Sequence, residues 1–85
     1  MIAKDRIKNK IFTRPRHNDC FRRLSEVERS YIINNTDFSE LERKIFDLRC
    51  EGLSLNEISQ EVNYHLSYCK KIAARVRKQI FTLIS

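Results

Sequence analysis

The side chains of this 85-residue chain best placed to do chemistry together are Lys70, Lys71, Arg75 and Lys78. At about 100° per residue they share one side of a helix with Ser67 and Ala74, while Cys69, Ile72, Ala73, Val76 and Ile80 fall on the other. No acid occurs from Leu66 to Ser85. A solvated helix ordinarily mixes both signs so that i,i+4 pairs form. A face of cations alone suits a polyanion. Ammonium and guanidinium groups neutralise phosphates and reach guanine edges in a major groove. Ser67 and Tyr68, nearer the helix start, are placed for base or backbone contacts.

Other chemistries fit less well. A single glycine excludes a glycine-rich phosphate loop. Glu40, Glu42, Asp47 and Glu51 spread over helix faces, where they serve capping, the helix dipole and solubility better than acid–base catalysis. His17-x-x-Cys20 and His65-x-x-x-Cys69 lack the close cysteine pairs of structural zinc sites, and Cys69 lies on the apolar stripe, where a free cysteine acts as a small hydrophobe. Neither an enzyme nor a metal site is expected, and no cofactor.

The basic helix needs elements to hold it. Ser54 and Glu57 form a capping box that starts a short helix with Leu55, Ile58 and Val62 on one stripe. Asn63 and Tyr64 supply the turn, since Asn tolerates a left-handed backbone. Upstream, Ser39 and Glu42 form a second box for a helix whose apolar face is Leu41, Ile45, Phe46, Leu48 and the Arg49 stem. Gly52, the only glycine, is placed to end it in the left-handed conformation. Phe21, Leu24, Val27, Glu28, Tyr31 and Ile32 mark an earlier stripe, capped at Asn18 or Asp19, or at Ser25 with Glu28. It ends at Asn34-Asn35-Thr36-Asp37.

From Leu41 to Ile72 the run LERKIFDLRCEGLSLNEISQEVNYHLSYCKKI resembles the fourth conserved region of bacterial sigma factors and the small phage regulators built on that module. The shared features are a leucine–acid–arginine start, a leucine–arginine pair, a glycine, and a serine followed by glutamate–isoleucine. The output domain of quorum-sensing regulators has much of the same spacing, and the residues do not separate the two. Asn63 stands where these families place a turn glycine, His65 where they place a serine cap, and Leu66 at a position often held by arginine. Histidine ranks low as an N-cap. The resemblance implies a helix-turn-helix that reads double-stranded DNA, with His65, Leu66, Ser67, Tyr68, Lys70, Lys71, Arg75 and Lys78 at the interface. It equally implies the alternative, a module that binds RNA polymerase or a sigma factor through the surface between Leu24 and Leu48 with little DNA recognition of its own.

Much Lys, Arg, Glu, Ile and Leu with one Gly and one Pro predicts an all-α fold, a small bundle of about four helices with a C-terminal helix-turn-helix. The net charge of +6 is uneven: six bases against two acids in residues 1–19, six against seven in 20–52, and five against two in 53–85. Residues 1–18 read as a basic arm and 19–85 as the helical domain. Met1 to Phe12 allows a weak helix with Ile7 and Ile11 four apart, interrupted at Thr13-Arg14-Pro15-Arg16. It is either a frayed, solvated tail or an arm whose Lys8, Lys10, Arg14 and Arg16, with Lys4 and Arg6, track phosphates or enter the minor groove. At the other end Phe81 and Ile84 either cover the core or form a partner surface. No long apolar run or signal peptide occurs, and three scattered cysteines fit a reduced cytoplasm, where a DNA-binding chain is expected to be nucleoid-associated. A monomer or weak dimer is expected, binding DNA at micromolar affinity or weaker without a partner.

Overall fold

A computed structural model describes residues 4–12 and 21–84. They form five α-helices and no strand: α1 (Lys4–Phe12), α2 (Glu26–Asn34), α3 (Glu40–Cys50), α4 (Leu55–Val62) and α5 (Leu66–Ile84), with a 3-10 turn at Phe21–Arg23 before α2. The fold is the expected all-α bundle. Among the described residues no helix is long and apolar enough to cross a membrane.

Three helices start on the same device. Ser25, Ser39 and Ser54 are N-caps, and each serine Oγ accepts from the backbone N–H of Glu28, Glu42 or Glu57, three residues on. Each glutamate Oε1 in turn accepts from its serine N–H at 2.8, 2.8 and 2.9 Å. Two of the boxes also face a neighbouring helix. Glu28 takes the Lys10 ammonium of α1 at 2.7 Å, and the Gln79 side chain of α5 lies near enough to Glu42 to favour its ionised form. Burial alone would raise the Glu28 carboxyl, but the Lys10 and Ser25 bonds overcome it and hold the group below its ordinary value. The Ser39 N–H does the same for Glu42.

Stops are equally local. Gly52 sits at φ 93°, and a Cβ there would meet the Arg22 side chain at 3.1 Å. Its N–H donates to Arg49 O at 3.0 Å and the Leu53 N–H to Leu48 O at 3.2 Å, the paired bonds of a Schellman stop. Asn63 ends α4 in the left-handed region at φ 61° and ψ 35°.

Packing divides into two clusters. The larger joins Ile7, Ile11, Phe21, Leu24, Ile32, Phe46, Cys50, Val76, Ile80 and Ile84. Phe46 is flanked by Phe21 and Phe38, with centroids 5.7 and 5.4 Å away, and the Arg49 guanidinium lies 5.7 Å from the Phe21 ring. The smaller joins Ile45, Ile58 and Ile72, rimmed by Leu41, Leu48, Leu53, Leu55, Val62 and Ala73.

Several expectations change. Residues 4–12 are not a frayed tail, because Ile7 and Ile11 are fully buried in the larger cluster. Ser25, not the upstream position, caps α2; Asn18 and Asp19 lie outside the described residues. Val27, assigned to the apolar stripe, is 65 % exposed because Phe21 and Leu24 reach the core from before α2 and the helix turns Val27 outward. Ile84 is buried and Leu83 packs against the larger cluster, as core cover, whereas Phe81 is 49 % exposed.

Candidate nucleic-acid interface

α5, like α3, contributes to both clusters, and its apolar residues determine its orientation. Ile72 enters the smaller cluster, Val76, Ile80 and Ile84 the larger, and Cys69 is fully buried. Lys70, Lys71, Arg75 and Lys78 are thereby turned outward, and all are exposed. None of the four forms an ion pair among the described residues. The positive charge of Arg75 helps to keep Glu42 ionised, but that carboxylate is already held by the Ser39 N–H. Arg77 is half-buried and has a partner of its own.

α4 has the opposite sign. Glu57 and Glu61 are exposed and no base lies between Leu55 and Val62. The Glu57 carboxyl is held below its ordinary value, chiefly by the Ser54 N–H.

Asn63, Tyr64 and His65 join α4 to α5. The Asn63 and Tyr64 N–H groups both donate to Ser59 O, and Cys69 is tied back by a long thiol contact to Tyr64 O at 4.0 Å. His65 occupies the cap position of α5: its carbonyl accepts the Cys69 N–H at 3.0 Å, and its ring Nδ1 accepts the Ser67 N–H at 3.2 Å. Cap preferences do not signal this, because imidazole seldom fills the role. The Ser67 hydroxyl lies 3.0 Å from the same Nδ1 and is engaged there. Leu66 is half-buried. Tyr68 is exposed, and it pairs with Tyr64, a residue missing from the expected interface although the two are four apart in sequence; the ring centroids are 5.2 Å apart.

The described cations of the expected arm differ in their surroundings. Lys8 is exposed, but Lys10 gives its charge to Glu28 and so anchors α1 to the domain. Arg14 and Arg16 lie outside the described residues, as do His17 and Cys20. Among the described residues no group of three or more His, Cys, Asp or Glu could hold a metal ion. Burial pushes the Cys50 thiol up to about 12, leaving a small hydrophobe without nucleophilic character at neutral pH.

The chain was compared with protein-family profiles, curated proteins and solved structures, and no match was found in any of the three.

Proposed function

We propose that the chain is a sequence-specific DNA-binding regulator of transcription, without enzymatic activity, in which α4 and α5 act as a helix-turn-helix and α5 enters the major groove. The observation that supports this is the exposed row of Lys70, Lys71, Arg75 and Lys78 on an acid-free helix, held outward by buried Cys69, Ile72 and Val76 and forming no salt bridge among the described residues. Such a row costs self-repulsion that a duplex phosphate backbone relieves. Tyr68 and the His65 ring stand at the end of α5 that would meet base edges, while Lys8 and the other exposed bases of α1 add backbone contacts. Reduced cytoplasm and nucleoid are the matching location.

Selection of bound duplexes from random DNA with the purified chain tests this directly. Enrichment of one short site, lost on Lys71→Ala or Arg75→Ala with the helical circular dichroism unchanged, is the expected result. Equal binding by both variants contradicts it.

A second reading, a module that binds RNA polymerase or a sigma factor, draws support from Val27, a valine 65 % exposed on α2. Co-purification with polymerase that Val27→Asp abolishes, together with no selected DNA site, favours that reading.

A further inference from the structure

We propose that Tyr64 and Tyr68 form the specificity tip of the interface and read the 5-methyl group of thymine, so that the target site carries thymine where the start of α5 meets the groove floor. This rests on the DNA-binding reading above and assigns the base chemistry within it.

The five residues from Tyr64 to Tyr68 contain no Lys, Arg, Asp or Glu; the cations begin only at Lys70. The end of a recognition helix that meets base edges first thus lacks the bidentate donors that read guanine. In their place it presents aromatic carbon: Tyr64 and Tyr68 are 50 % and 43 % exposed, with rings 5.2 Å apart and tilted 41° to one another. Neither ring belongs to either hydrophobic cluster, so the fold does not account for them. Neither hydroxyl has a hydrogen-bond partner among the described residues. The surroundings select what covers the pair. Lys70, Lys71 and Arg75 follow directly along the same helix, so a polyanion that pairs with those cations is brought against the rings. The thymine methyl is the apolar group that duplex DNA presents on its major-groove floor. Two tilted rings make an apolar notch for it, and the free hydroxyls remain able to meet phosphate or water at the rim.

The test uses the full chain and the duplex it selects, with each thymine replaced in turn by deoxyuridine. That exchange keeps every hydrogen-bonding group and removes the methyl alone. Burying about one methyl predicts a loss of about four-fold in affinity at the position or positions under the tip. Tyr68→Ala should bind thymine and uracil duplexes equally, whereas Tyr68→Phe, which keeps the ring, should retain the preference. Equal binding of both duplexes by the wild-type chain overturns the proposal, as does a preference that survives both Tyr64→Ala and Tyr68→Ala. In either case a continued loss of binding on Lys71→Ala leaves the DNA-binding reading standing. If no duplex is selected and Lys71→Ala and Arg75→Ala change nothing, both readings fall together.

Discussion

The two ends of α5 are anchored very differently. Its C-terminal half lies in a cluster of ten buried residues that includes Phe21 and Phe46 and draws on every helix except α4. Its N-terminal half, with α4, is held by Ile45, Ile58 and Ile72 and a rim of half-buried side chains. The cationic row and the tyrosine pair begin at the lightly held end. α5 therefore runs from a well-packed base to a more thinly packed tip, where α4 brings a single fully buried side chain, Ile58. A helix of eight residues is marginal without tertiary packing.

Breaking each core shows the contrast most strongly. Phe46→Ala removes the aromatic centre of the larger cluster and should cost about 3–5 kcal/mol, unfolding the whole domain in a single denaturant transition. Ile58→Ala empties the smaller cluster at about 2–5 kcal/mol. Because Ile58 is the one fully buried residue of α4, amide exchange should rise first in residues 55–65 while 76–84 stay protected. Equal loss of protection across both regions would show that the clusters act as one.

The capping boxes sharpen the comparison at intermediate size. Glu28 ties α1 to α2, whereas Glu57 serves only its own helix among the described residues. All three carboxyls are held below the ordinary 4.5, so their stabilisation is complete above that value and is lost as pH falls through the lower folded values. Glu28→Gln should cost about 1–3 kcal/mol and release α1, read as exchange at Ile7 and Ile11, with a smaller acid-induced loss remaining. Glu57→Gln should leave α1 and the larger cluster unchanged. Protection at Ile7 and Ile11 that survives Glu28→Gln would mean that packing alone holds α1.

The smallest expected effect is at the tip. His65→Ala removes the α5 cap and should cost about 0.5–2 kcal/mol, seen as faster exchange at Ser67 to Cys69, and His65→Asn should restore it. No change in either variant would show that the imidazole contributes nothing as a cap.

Much of this architecture is legible in the chain itself. The boxes at Ser39 and Ser54, the stop at Gly52, the turn at Asn63 and the two faces of α5 follow from local rules, since each involves residues within a few positions of one another. What is not legible depends on distant partners. Ile7 and Ile11 four apart describe a weak helix equally well in solvent or in a core, and α5 and the turn at Phe21 decide the matter. Lys10 resembles any arm cation until Glu28, 18 residues away, meets it. Val27 fits a stripe by spacing, but the 3-10 turn moves Phe21 and Leu24 off that helix and rotates the stripe away from it. At the candidate interface the cations are evident from the acid-free run, whereas the His65 cap and the Tyr64–Tyr68 pairing depend on ring orientations that spacing does not specify.

The central claim is that the outward row on α5 meets phosphate, and salt dependence of binding measures it most directly. On the selected duplex, Lys71→Ala with Arg75→Ala should reduce the slope of log affinity against log salt by about two, at roughly 0.9 for each phosphate no longer neutralised, while circular dichroism stays that of the wild type. An unchanged affinity and slope in the folded double variant would contradict the account.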